Sequence, residues 1–214
     1  MIRRLRIQSL IIPTLIVFSI LLGGCSTLQP QAFSSAVPRF EPDAFFEGPV
    51  RSWGVLETRA GSPKSRLRAD LMGRRDGDEV VVTQDFTFED GHTQQRIWRI
   101  RRIDEHRYAA FAPDVIGPAV GYAYGNSFHW EYTLQLRPGN ILTRVRMEHW
   151  MYLLGDGTLM INRVVIRKFG VIVAQTTEYF QKGTAVMPAI GDQGDSDRTD
   201  AEWRCDPGHG RKST

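Results

Sequence analysis

The sequence predicts an all-β domain: an antiparallel up-and-down barrel, or a strongly curled sheet, of about 8–10 strands. Three observations carry that expectation. Apolar residues alternate with period two across residues 40–182, the signature of half-buried strands. Asp-Gly or Pro-Gly pairs punctuate the alternating runs at 76–77, 90–91, 138–139 and 156–157, where tight hairpin turns need positive φ. No stretch of this region carries a long amphipathic helical pattern.

The runs follow in chain order. Strand-like segments fall at 50–58 and 66–73. In "VVVTQDFTF" (80–88), Val80, Val82, Phe86 and Phe88 share one face with Gln84 among them, and Thr83, Asp85 and Thr87 face the other way. Further runs cover 95–103 and 107–112. "GPAVGYAYG" (117–125) sets Gly117, Gly121 and Gly125 four apart around Pro118, which reads as a loop, bulge or barrel corner rather than a helix-packing motif. In "FHWEYTLQL" (128–136) the apolar set is Phe128, Trp130, Tyr132, Leu134 and Leu136. In "ILTRVRMEHWM" (141–151) it is Ile141, Val145, Met147 and Met151, against Arg144, Arg146 and Glu148. Runs at 158–168 and 171–181 complete the set. A sandwich is the alternative architecture. A barrel of about eight strands has room for one small ligand.

The ends of the chain differ from this middle. "MIRRLR" is basic, and an apolar run from Leu10 to Leu22 follows, interrupted by Pro13, Thr14 and Ser19. The run is shorter than the roughly 20 residues a spanning helix needs and reads as a secretory leader. "LGGC" (22–25) resembles a bacterial lipobox, which implies cleavage before Cys25 and acylation of that cysteine. Ser26 in the next position resembles the default pattern for the outer membrane of a Gram-negative bacterium, facing the periplasm. Multiple acyl chains on Cys25 exceed what stable membrane attachment requires. The expected organisation is a lipoprotein signal peptide (1–24), a lipidated, flexible tether (25–39), a β-barrel domain (40–182) and a disordered polar tail (183–214). The three leader arginines account for the whole formal charge of +3. The remainder is neutral and lacks the basic field that nucleic-acid binding needs. With Cys25 acylated, Cys205 stands alone and no intramolecular disulfide forms.

Several short pieces then resemble one family together: "FEPDAFFEGPVRSWGV" (40–55), "FTFEDG" (86–91), "RIWRI" (96–100), "DVIGPAVG" (114–121), "GNSFHWEY" (125–132), "WMY" (150–152), "NR" (162–163) and "KFG" (168–170). They resemble a domain-of-unknown-function family of bacterial envelope lipoproteins, over residues 40–181. The resemblance implies a lipocalin-like β architecture and an envelope location. It brings no established activity and no catalytic residues. Where the family pattern has an acidic pair before "WMY", this chain has Glu148-His149, which argues against a required catalytic duty for His149.

The candidate site residues come from the strands. His149 shares a face with Met147 and Met151, where an imidazole can meet a ligand headgroup or be a core histidine held by one hydrogen bond. Asn162 and Arg163 are adjacent in a strand, so one of them points inward. An inward Arg163 would suit a fatty-acid carboxylate or pair with Asp114 or Glu131. Trp130 and Trp150 belong to an aromatic set, with Trp53, Trp98, Tyr132 and Tyr152, that is core or lines a lipid pocket. No nucleophile, zinc-protease or paired-cysteine motif is present, so no catalytic residue, metal ligand or cofactor is assigned. The expected function is binding or carrying a lipid or other apolar small molecule. A lipid-modifying enzyme on the same scaffold, or a scaffolding lipoprotein with no small ligand, are the alternatives. Oligomeric state is not readable from the sequence.

Overall fold

The computed structural model describes residues 28–137 and 139–183, apart from the side chain of Ile141. The leader, Cys25, Pro138 and residues 184–214 with Cys205 lie outside the described residues.

Ten antiparallel strands form one closed barrel. They are β1 (Gly48–Thr58), β2 (Pro63–Asp76), β3 (Glu79–Phe88), β4 (Thr93–Arg102), β5 (Arg107–Phe111), β6 (Val115–Tyr124), β7 (Ser127–Gln135), β8 (Arg144–Leu154), β9 (Leu159–Lys168) and β10 (Val171–Lys182). Each strand pairs with its sequence neighbours, and β1 pairs with β10 from Val50↔Lys182 to Thr58↔Ala174, which closes the ring. This is the up-and-down barrel expected, rather than a sandwich. The Gly-containing turns at 76–77, 90–91 and 156–157 lie between paired strands, as type I′ chemistry predicts.

The period-two pattern sets the inner face. Val80, Val82 and Gln84 of β3, Phe128, Trp130, Tyr132 and Leu134 of β7, and Val145, His149, Met151 and Leu153 of β8 are buried. Ile141 falls in a 3-10 turn (Ile141–Thr143) before β8 and not on its face. The "GPAVGYAYG" segment is a strand rather than a loop. β6 bulges between Ile116 and Val120, so the two glycines at 117 and 121 lie within one irregular strand.

The segment before β1 closes one end. A single helical turn, α1 (Pro42–Phe45), is flanked by Phe40 and Phe46, and all three phenylalanines, with Phe45, are buried. Their rings meet edge-on: Phe40 with Phe128 at 6.0 Å and Phe46 with Phe180 at 6.2 Å. Burying a phenylalanine side chain contributes about 1.5–3 kcal/mol, so the plug is a substantial part of the core. Lys182 Nζ donates to the carbonyls of Ala44 (2.7 Å), Phe45 (2.7 Å) and Glu47 (2.5 Å). Those are the carbonyls that a helix end leaves without partners. Asp43 accepts from Arg102 at 2.9 Å.

Part of the segment expected as a tether lies against the barrel. Pro30 is buried, and Phe33 packs on Trp150 (6.1 Å) and Tyr152 (5.5 Å) on the outside of β8. Phe40 N–H donates to Gly125 O at 2.7 Å. The Ser, Gln and Pro content conceals two apolar residues that find a barrel wall.

Gly73 is where plug and barrel come closest. A Cβ there would lie 1.7 Å from Phe46 O. Gly73→Ala is therefore expected to displace the plug and lower stability by about 1–3 kcal/mol, read as a lower urea midpoint.

Candidate functional site

The barrel encloses a cavity of about 140 Å³. Its walls are mostly apolar and aromatic, including Val82, Trp98, Met147, Met151 and Val164, and Phe46 and Phe180 form the floor on the plug side. Trp98 and Trp130 lie 4.9 Å apart, and Tyr132 meets Trp98 edge-on at 5.3 Å.

A chain of polar side chains crosses this apolar interior. Asn162 Nδ2 donates to Glu178 Oε2 at 2.8 Å and to His149 Nδ1 at 3.2 Å. His149 Nε2 lies 3.0 Å from Tyr132 Oη. Since Nδ1 accepts, the ring proton sits on Nε2 and is donated to the Tyr132 oxygen. The Tyr132 hydroxyl proton is then left to point elsewhere in the cavity. Glu178 owes its place to Gly54 on the neighbouring strand, where a Cβ would stand 2.6 Å from Glu178 Cγ. Two cavity-wall atoms have no partner: the Trp130 Nε1–H donor and the Asn162 Oδ1 acceptor. Burying such groups unpaired is costly, and both belong to residues that line the cavity.

Burial sets the charges. Desolvation pushes the Glu178 carboxyl up to about 7, against smaller opposing effects of the Asn162 hydrogen bond and Arg96. Desolvation pushes His149 down to about 3, with Arg96 and His129 adding to it. His149 is thus neutral at physiological pH, both its nitrogens are engaged, and it is no proton donor or acceptor near neutrality. The phenol of Tyr132 is pushed up by burial. The interior arginine is Arg96, held by Asp114 through Nε–Oδ1 (3.0 Å) and Nη2–Oδ2 (2.8 Å). Gln84 Oε1 accepts from Trp98 Nε1 at 3.3 Å.

The structure brings together three of the expected residues, His149, Asn162 and Trp130, and separates two. Arg163 is exposed on the outer face, because its neighbour Asn162 takes the inward position. Trp150 likewise faces outward, 4.2 Å from His129, because His149 faces inward. In a strand, adjacent side chains point to opposite faces, so neither pair could serve the cavity together. Asp114 and Glu131 are arginine partners as anticipated, but of Arg96 and Arg146. Arg96 and Glu178 were missed. Both were in phase with visible inward residues: Arg96 with Trp98 and Ile100, Glu178 with Phe180.

On the outer face, His129, Glu131 and Glu148 offer ligand atoms within 4.8 Å of one another. His129 Nε2 is buried without a hydrogen bond. However, Arg146 pairs with Glu131 and Arg167 with Glu148, so the negative charge a cation would need is already neutralised.

A family model described as a protein of unknown function (DUF3833) matches residues 19–182. No curated protein matches. Among solved structures, the chain is similar to Rv2717c from M. tuberculosis, at 13% identity and TM-score 0.47 over 70% of this chain and 100% of that one. It is similar to the S-type phycobiliprotein lyase CPES from Guillardia theta at 8% identity and TM-score 0.48, over 74% and 100%. A third is EF1p2_mFAP2b bound to DFHBI, at 11% identity and TM-score 0.36, over 65% and 95%.

The polar chain predicts an unusual pH dependence of stability. Glu178, with its raised native pKa, contributes stability that grows as pH falls from about 7 toward the ordinary carboxyl value of 4.5. His149, with its lowered native pKa, contributes stability that is lost as pH falls from 6.5 toward about 3. The two oppose one another where the windows overlap, from about pH 6.5 to 4.5. Urea unfolding across pH is expected to separate them. Glu178→Gln should leave a stability that only declines on acidification below 6.5. His149→Gln should leave one that rises from pH 7 down to 4.5, by on the order of 3 kcal/mol.

Proposed function

The chain belongs to the DUF3833 family, and from that premise we propose that it binds an apolar small molecule, a lipid or similar amphiphile, inside the barrel. The observation that carries the proposal is a mostly apolar cavity lined by Trp130 and Asn162, whose Nε1 and Oδ1 have no hydrogen-bond partner. Ligand sites of small molecules combine this apolar lining with a few placed polar groups.

Cavity size limits the ligand. An apolar cavity of about 150 Å³ accepts benzene, so a cavity of about 140 Å³ takes a ring or a short acyl segment, and a longer molecule extends toward the mouth. Chemistry limits it further. The free donor and free acceptor call for a neutral polar end, such as a hydroxyl, an amide or a protonated carboxyl. A carboxylate would find no free counter-charge, since Arg96 is already held by Asp114, and an unpaired buried charge is very costly. His149 and Glu178 orient Asn162 rather than react. The cavity favours this reading over a scaffolding protein with a filled core.

The same proposal places the protein in the envelope, with acyl chains on Cys25 attaching it to the outer membrane at its periplasmic face. Metabolic labelling with a palmitate analogue is expected to mark the chain, and Cys25→Ser is expected to abolish the label and release the protein from membranes. Unlabelled wild-type protein would overturn the anchor.

Native mass spectrometry of the full chain purified from its own host, followed by organic extraction, tests the ligand. A stoichiometric neutral amphiphile is expected. Trp130→Phe should weaken its binding by about 5–10-fold, the equivalent of roughly one neutral hydrogen bond, with the barrel still folded by circular dichroism. A protein that arrives empty and ignores a fluorescent neutral amphiphile, such as a labelled fatty alcohol, would overturn the proposal.

A further inference from the structure

The end of the barrel opposite the plug carries the β1–β2, β3–β4, β5–β6, β7–β8 and β9–β10 connections. Its two halves differ in chemistry. The β1–β2, β9–β10 and β7–β8 connections form one continuous arc, because β1, β10, β9, β8 and β7 are neighbours in the ring. No acidic residue occurs at 58–69, 132–147 or 163–177, the segments that build this arc. It presents Arg59, Lys64, Arg137 and Arg144, all exposed, together with Lys168. None of these five is in an ion pair among the described residues, whereas most arginines elsewhere on the barrel are paired. The remaining arc, with the β3–β4 and β5–β6 connections, carries Asp90 together with Glu89 and Asp114, which pair with Arg66 and Arg96.

Large apolar side chains stand among the unpaired cations. Phe169 is 82% exposed, Leu142 62%, Leu136 61% and Val171 56%. Phe169 is also the one described non-glycine residue at positive φ, at 50°, and with Gly170 at 81° it forms the tip of the β9–β10 hairpin. Asn, Asp or Gly is the low-energy choice at that position, and a bulky residue there is an outlier. Fold stability therefore selects neither its conformation nor its exposure. Lys168 Nζ lies 5.7 Å from the Phe169 ring centroid, a cation and an aromatic ring presented together at the tip.

We propose that this basic, apolar-tipped half of the rim is a docking surface for an anionic phospholipid bilayer. Exposed apolar tips enter the boundary between headgroups and acyl chains, while the surrounding cations meet lipid phosphates. Both components are required by the two features, since a neutral surface leaves five cations unmatched and a purely polar partner leaves four apolar tips in water. The other half of the rim offers no unpaired lysine or arginine among the described residues, so the barrel docks tilted on one arc, with its cavity end beside the lipid. The inference stands on the outer rim and holds whether or not the cavity is occupied.

The test uses the full chain carrying Cys25→Ser, Cys205→Ser and Val171→Cys, with an environment-sensitive fluorophore on the single cysteine. Membrane attachment through other parts of the chain does not itself move this readout, because the probe reports only the rim. On vesicles containing phosphatidylglycerol, the emission is expected to shift to the blue and intensify several-fold. Pure phosphatidylcholine vesicles should leave it unchanged, and NaCl at about 0.5 M should reverse the effect by screening. Adding Arg137→Gln, Arg144→Gln and Lys168→Gln should raise the lipid concentration needed by about tenfold or more, and these exposed sites leave the barrel intact. A probe at Asp90→Cys in the same background should stay water-like. Unchanged emission at position 171, an equal response to both lipids, or an equal response of the position 90 probe would each overturn the proposal.

Discussion

Closure of the ring between β1 and β10 is the constraint on which the rest of this structure depends. An open sheet of ten strands would present two unpaired edges and one continuous apolar face. Pairing Val50 with Lys182 through Thr58 with Ala174 removes both edges and turns that face into an interior. Closure also brings the end of β10 to the start of β1, so Lys182 lies beside the carbonyls of the plug. The plug then seals one end, and the other end is left to its turns.

A closed interior forces a choice at every strand position, because one residue of each adjacent pair goes in and the other goes out. Most inward positions are apolar. The exceptions on the strands are Ser52, Gln84, Ser127, His149, Asn162, Thr176 and Glu178. Asn162 holds two of them, His149 and Glu178, in one chain of hydrogen bonds, and its amide uses both hydrogens to do so. The cost of that arrangement is the unpartnered Oδ1 opposite them. Desolvation does the rest, keeping His149 neutral and raising Glu178 to about 7.

The inner and outer surfaces support related readings by different physics. Inside, the relevant terms are desolvation and unpaired hydrogen-bonding groups in a small cavity. At the rim, they are unpaired cations and exposed apolar tips, which act on a surface rather than on a single molecule. An amphiphile-binding barrel whose cavity end lies against a bilayer would have its ligand source within reach, without a long transfer through water.

Much of the fold was legible in the sequence. Alternation marked nine of the ten strands, and Asp-Gly pairs marked three of their turns, because a period of two and a need for positive φ are local properties. β6 was not legible, since its bulge breaks the period at Gly117 and Pro118. The family resemblance was legible too, and so was the inward phase of His149, which follows from Met147 and Met151 on either side. What only the tertiary structure decided was which neighbour of the ambiguous pair meets the cavity: Asn162 rather than Arg163. Alternation gives relative facing within a strand, while absolute facing requires the ring to close. The partners were also beyond the sequence. Arg96 with Asp114, Glu178 under Gly54, and Phe33 on Trp150 join residues far apart in the chain, and only register across the closed sheet brings them into contact.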